Sequence, residues 1–408
     1  MKKSTTLIMS MVCTVVTVRA QLTPEITSWI TDAGSSNFHD IIYSNVQQVQ
    51  YTDADVFISC DAIAAYDVGP WDDPALGSNQ NFVFRIPRLP QAADPTPLQP
   101  GHIGVWSNGL SIFDIRSGQS YHNNNIWHVD AVAENAEVEP SCTGRIAENG
   151  EYYNYTAPAC LFDPTQNTEH ATILGYAFDG YPIYGAYAFE NTDGSGNIVR
   201  MRSSYQLRNI TLRNSLPDGT MLSAEDQGPD VSNNYPLGRY LEDYIYVAGS
   251  GDLDEHNGRF CITPEYPQGT YAYFTTINES GKPAFPYVIG GSYYGRVAEG
   301  NTGTFSGHQV IDESAATYTS VGADAAVLDM LVYPNPTTDY IHVYIVPSYA
   351  NDITATVRDI SGRMVYQQNN MQPGVSYPID ARGLNSGLYF IELKSSDAYG
   401  MQKCMVRH

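Results

Sequence analysis

The chain has 408 residues, of which 42% are hydrophobic and 16% charged, and 21 basic residues face 44 acidic ones for a formal charge of −23. That balance argues against a nucleic-acid or anionic-membrane surface and favours cations or neutral ligands. The apolar fraction is too high for a disordered acidic tail.

The first twenty residues read as a secretory signal peptide. Lys2 and Lys3 lead, an apolar run follows from Leu7 to Val18, and Val18-Arg19-Ala20 ends on a small residue before Gln21. The run is too short to span a bilayer, and no later stretch approaches a membrane span. Removing the leader takes three bases and no acid, so 18 bases face 44 acids and the charge becomes −26. Cys13 leaves with it. Cys60, Cys142, Cys160, Cys261 and Cys404 remain, an odd number for an oxidising compartment. Cys142 and Cys160 flank a loop of Asn, Gly and Tyr and are expected to pair, which leaves Cys60 with Cys261.

Ile26–Gly34 has the pattern of a short helix. From Gln47 to Arg296 the chain is dense in short β-branched and aromatic runs broken by Gly, Pro, Asn and Asp. "QNFVFRIPRL", "GVWSNGLSIFDI", "YIYVAG", "RFCIT" and "TYAYFTTI" alternate as half-buried strands do. The fold class is therefore mainly β: an irregular antiparallel domain over 21–297, with most of the 31 tyrosines packing in strands. Residues 298–329, rich in Gly, Ser, Thr and Ala, read as a linker. After them, "LVYPNPTTDYIHVYI", "ATVRDISGRMVYQ", "PIDARGLNSGLYFIEL" and "MQKCMVRH" are strands bounded by turn residues, a small sandwich over 330–408.

The C-terminal segment resembles the sorting domain of type IX secretion cargo of Bacteroidetes. The resemblance rests on Tyr333-Pro334-Asn335-Pro336, Asp359 with Gly362-Arg363-Met364-Val365, Leu384 with Ser386-Gly387-Leu388-Tyr389-Phe390, and Lys403. It implies handling by the type IX machinery, removal of the domain with Cys404, and release or attachment at the outer cell surface. Centrally, "GHIGVWSNGLSIF", "HATILGYAFDGYPIYGAY", "DLDEHNGRFCITPEYPQGTYAYF" and "FPYVIGGSYYG" resemble the YHYH family. That family has no activity to transfer. Where its Tyr-His-Tyr-His cluster should fall, this chain has Tyr152-Tyr153-Asn154-Tyr155, so imidazole-based metal or catalytic chemistry is in doubt there.

His122 and His128 are spaced by six and read as solvated loop histidines. His170 opens the most family-like block, nine residues before Asp179, and is a candidate ligand or acid/base. Asp179-Gly180 suits a type I′ hairpin turn. The acid-rich "GDLDEHNGRF" lacks the spacing of an EF-hand. Asn257-Gly258 fits a tight turn, with Asp252 and Asp254 on one face of an incoming strand beside Glu255. Three readings stay open there: a charged hairpin, a hard-cation site, or an acid/base pair. No Gly-x-Ser-x-Gly elbow, His-Glu-x-x-His or phosphate-cradling loop is present.

Together these residues point to a secreted or surface module. It would bind a hard cation, calcium above all, through Asp252, Asp254, Glu255 and Asn257 with His170 or Asp179, and a glycan through exposed tyrosines. The alternatives are a carboxylate-dependent hydrolase using Asp252, Asp254, Glu255, Asp179 and His170, and a structural surface component.

Overall fold

A computed structural model describes residues 22–31, 46–64, 77–134, 144–158, 167–303, 306–318, 326–328, 330–346, 352–359, 363–395 and 398–408. The expected leader, Cys142 and Cys160 lie outside the described residues, as do residues 32–34 of the expected N-terminal helix; of its described part, Ile26 and Thr27 alone are helical. Pro24–Thr27 is helical, and Ile26 and Trp29 beside it are buried.

The protein is mainly β, as expected. Its central element is an eight-stranded sheet in the order Gly258–Cys261, Thr270–Phe274, Pro182–Tyr184, Ile173–Ala177, His102–Trp106, Ser111–Phe113, Tyr152–Asn154, Gly144–Ile146. Most neighbours are antiparallel. Pro182–Tyr184 runs parallel to Thr270–Phe274, and Tyr152–Asn154 parallel to Ser111–Phe113. The middle strands are not half-buried: every residue of His102–Trp106, Ile173–Ala177 and Pro182–Tyr184 is buried. The reason is that the sheet is covered on both faces, so no strand position needs a polar residue for solvent. Val105, Tyr176, Phe178 and Phe274 pack on one face against Val49, Ile58, Phe84 and Ile86. These belong to an antiparallel sheet in the order Ala316–Tyr318, Val46–Tyr51, Asp55–Cys60, Phe82–Pro87. On the other face Trp106, Leu174, Ile183 and Tyr273 pack beneath Tyr287, Val288 and Tyr293.

The segment 298–329 is not a simple linker. Asn301 brackets Arg85, its Oδ1 accepting the Arg85 N–H at 3.1 Å. The Ser306 hydroxyl meets buried His102 at 2.7 Å, and the opposite ring nitrogen of His102 meets buried Glu151 at 2.7 Å. Ala316–Tyr318 completes the four-stranded sheet by pairing with Val49–Tyr51. On the far side, Ala326–Val327 already pairs with Ala398–Val406. A stretch rich in Gly, Ser, Thr and Ala reads as a linker, but its described residues are held by backbone pairing and buried polar contacts that hydrophobic patterning does not register.

The residues from Ala326 on form the expected sandwich, a five-stranded sheet packed on a three-stranded one around Ile341, Val343, Val357, Ile391 and Cys404. Asn335 of the Tyr-Pro-Asn-Pro motif fastens its turn to the last strand. Its amide donates to the Lys403 carbonyl and its Oδ1 accepts the Met405 N–H, both at 2.9 Å.

The expected Cys60–Cys261 disulfide is not formed. Both thiols are free and buried in one apolar layer, but Cys60 closes a strand of the small sheet and Cys261 the edge strand of the large one. Burial raises the pKa of both.

Candidate functional site

The acid-rich stretch does not gather its carboxylates. Residues 251–253 form a bend rather than a strand, so Asp252 and Asp254 no longer share a face. Asp252 turns to Arg202, accepting its backbone N–H and both arms of the guanidinium at 2.9–3.0 Å. Asp254 turns inward and accepts the Tyr271 hydroxyl at 2.9 Å, with the N–H groups of His256 and Gly258 at 2.9 and 3.1 Å. Glu255 points outward, its side chain 54% exposed. A turn is present but lies two residues earlier than expected: Glu255 and His256 are its centre, Asn257 closes it with a φ of 64° and its N–H on the Asp254 carbonyl at 3.1 Å, and Gly258 opens the next strand. The Asn257 amide donates to the Phe274 and Val288 carbonyls.

Neither partner expected from the other block approaches this turn. His170 rests its Nδ1 on the Ala171 carbonyl at 2.8 Å and packs against Tyr184 and Phe189. Burial lowers its pKa. Asp179 is fully buried and accepts the Tyr273 hydroxyl at 2.6 Å and the Gly295 N–H at 2.9 Å. Its hairpin differs from the type I′ expectation. Asp179 keeps a negative φ while Gly180 takes 91°, and the Gly180 N–H returns to the Ala177 carbonyl. This is a type I turn closed by a left-handed glycine. Among the described residues, no three His, Cys, Asp or Glu side chains are grouped to hold a metal ion.

The acids are instead matched by tyrosines. Tyr271 serves Asp254 and Tyr273 serves Asp179, while Tyr287 donates to Asp130 at 2.8 Å and Tyr184 to Glu265 at 2.9 Å. A phenol satisfies a buried carboxylate without a second charge, and burial still pushes Asp130 and Asp179 up to about 6.

The open surface lies beside the turn. Tyr205–Leu207 and Tyr244–Tyr246 form a two-stranded antiparallel ribbon in which Tyr205 faces Tyr246 and Leu207 faces Tyr244. Side chains alternate along a strand, so these four share one face. Phe285 extends it, stacked on Tyr244 with centroids 3.9 Å apart and edge-on to Tyr205 at 5.3 Å. Tyr205, Tyr244, Tyr246 and Phe285 line a cavity of about 530 Å³. The charged stretch contributes its backbone here. The Glu255 carbonyl accepts the Tyr205 hydroxyl at 2.8 Å, and Gly290 on the cavity floor passes so close that a Cβ would lie 2.1 Å from that carbonyl.

Two polar pairs also line the cavity. His128, read from sequence as a solvated loop residue, holds Glu242: Nδ1 meets Oε1 at 2.7 Å and the backbone N–H donates to Oε2 at 2.8 Å. Arg116 grips Asp114 through Nε and Nη2 at 2.9 and 2.8 Å. Asp218 adds a third carboxylate, kept low by the Thr220 N–H. Glu242 and Tyr244 are delivered by a turn that Arg213 anchors. Arg213 is fully buried, clasps Asp243 at 2.7 Å through two nitrogens, and donates to the carbonyls of Pro229, Tyr235 and Pro236. The Tyr240 ring lies 4.8 Å from its guanidinium carbon.

Sequence reasoning missed this groove because its residues come from seven separate stretches. The available signals were the alternation Tyr244-Ile245-Tyr246 and a block that opens on Phe285-Pro286-Tyr287. The residues at the motif position lie elsewhere, on the strand Tyr152–Asn154, where Tyr153 stacks on Phe113 at 3.9 Å.

No curated protein matches the chain. Among the described residues no helix is long and apolar enough to cross a membrane. The family model described as "Secretion system C-terminal sorting domain" matches residues 331–407, the sandwich that Asn335 fastens, and marks a secreted or outer-surface protein handled by the type IX machinery. The model described as "YHYH protein" matches residues 83–286, half of the sequence and most of the two packed sheets with the ribbon, and on that match the chain belongs to the YHYH family.

Proposed function

We propose that this secreted protein is a carbohydrate-binding module that takes neutral sugar rings against the aromatic wall of the groove. The observation that carries the reading is the shared face of Tyr205, Tyr244 and Tyr246, extended by Phe285, along the cavity. Flat aromatic faces accept the apolar C–H side of a pyranose, while the carboxylates and the imidazole that line the same groove take its hydroxyls. The volume lies within the range of small-molecule sites, roughly 300–1,000 Å³. An acidic chain favours a neutral ligand over an anionic polysaccharide.

Hydrolysis is the second reading, because Glu242 and Asp218 both line the groove. Binding is favoured over it by the engagement of Glu242 with His128 and of Asp114 with Arg116. Titration calorimetry with a panel of neutral hexasaccharides of differing linkage, followed by a reducing-end assay, tests both. Retention of at least one hexasaccharide, lost in Tyr246→Ala, is expected without new reducing ends. No binding across the panel defeats the proposal, and new reducing ends replace it with hydrolysis.

A further inference from the structure

A second cavity, of about 380 Å³, lies where residues 296–299 cross the outer face of the strand Phe82–Pro87. Its cations are Arg85 and Arg296, its acids Asp55 and Glu299, and Pro87, Leu89 and Val297 give it an apolar side. In the domain that holds it, five other arginines are in ion pairs: Arg88, Arg116, Arg202, Arg213 and Arg239. Among the described residues neither Arg85 nor Arg296 is in one, although the chain has more than two acids per base. Asp55 lines the same cavity, one strand over and two residues along from Arg85 in register, yet makes no ion pair with it.

One terminal nitrogen of Arg85 donates to the Glu299 carbonyl at 3.3 Å, and its Nε is buried with no hydrogen-bond partner, as are those of Arg239 and Arg259. The buried Nε is closed to solvent, so a ligand in the cavity meets the terminal nitrogens. A guanidinium presents paired N–H groups in the plane that a carboxylate fills.

We propose that this cavity is a separate binding site for a small organic carboxylate, its oxygens on Arg85 and Arg296 and its carbon body against Pro87, Leu89 and Val297. The site is independent of the aromatic groove and does not rest on the carbohydrate reading.

The test is calorimetric titration of the purified secreted chain with benzoate, with benzamide as the neutral analogue and sulfate as an oxyanion without a carbon body. Benzoate should bind, and benzamide should not. Arg85→Met and Arg296→Met should each weaken benzoate about tenfold or more. Arg296 is exposed, so its variant keeps the test valid where Arg85→Met impairs folding. Asp55→Asn removes a repelling charge and should tighten benzoate, while Tyr246→Ala in the groove should leave it unchanged. Absence of benzoate binding up to about 10 mM, or equal binding by both arginine variants and the wild type, overturns the site. Sulfate binding as tight as benzoate overturns the assignment to a carboxylate with an apolar body.

Discussion

The turn at residues 251–260 and the ribbon of Tyr205–Leu207 with Tyr244–Tyr246 meet at Glu255, whose carbonyl accepts the Tyr205 hydroxyl and whose side chain meets Tyr246, yet they differ in what they leave open. In the turn, Asp252 and Asp254 are occupied by Arg202, by Tyr271 and by backbone N–H groups. The ribbon turns the rings of Tyr205, Tyr244 and Tyr246 toward a cavity. A dense cluster of charge is a poor guide to a site once its members have internal partners. A face of aromatic rings with room in front of it is a better one.

The largest expected effect concerns the anchor behind the ribbon. Arg213→Met leaves Asp243 buried without its cation and should lower unfolding free energy by about 3–5 kcal/mol in urea titrations. Sugar binding should fall with it, because Glu242 and Tyr244 flank Asp243. A loss below about 1 kcal/mol would mean that the anchor does not hold the ribbon.

The tyrosine-served acids come next. An acid whose pKa is raised on folding favours the folded state fully below its unfolded value of 3.8, and that contribution is lost as pH rises through about 6. At neutral pH, burial of ionised Asp179 therefore costs about 3 kcal/mol. Stability of the wild type relative to Asp179→Asn should improve by about that amount between about pH 7 and about pH 4, read by urea unfolding at each pH. A difference that stays constant with pH would place the Asp179 pKa near 3.8.

Smaller effects separate the two regions directly. Tyr246→Ala should weaken oligosaccharide binding about tenfold, or about 1.4 kcal/mol, with little change in melting temperature. Asp252→Asn removes only a pair with a largely exposed arginine, so it should cost under about 1 kcal/mol and leave sugar binding intact. Loss of binding in Asp252→Asn with retention in Tyr246→Ala would reverse the comparison.

The sandwich was legible because its strands alternate cleanly and its turns carry Asn and Pro in fixed order, a local pattern that local reasoning reads. A turn leading into Gly258–Cys261 was legible for the same reason, although its centre is Glu255-His256 rather than Asn257-Gly258. Asp252 and Asp254 were misplaced because their partners, Arg202 and Tyr271, lie far away in sequence, and a two-residue spacing implies one face only if the chain is extended. His128 was dismissed on its spacing from His122, while Glu242, its partner, lies 114 residues on. The groove is assembled from such distant pieces, and the segment after 298 escaped as a linker because backbone pairing leaves no hydrophobic signature.

The central claim is that the ribbon face, and not the acid-rich turn, meets the ligand. Hydrogen–deuterium exchange of the full secreted chain, free and saturated with the hexasaccharide that calorimetry finds tightest, tests it most directly. The account predicts slowed exchange at 205–207, 241–246 and 285–291, with 252–255 unchanged. Protection confined to 252–255, or no hexasaccharide-dependent protection in the ribbon, would contradict it.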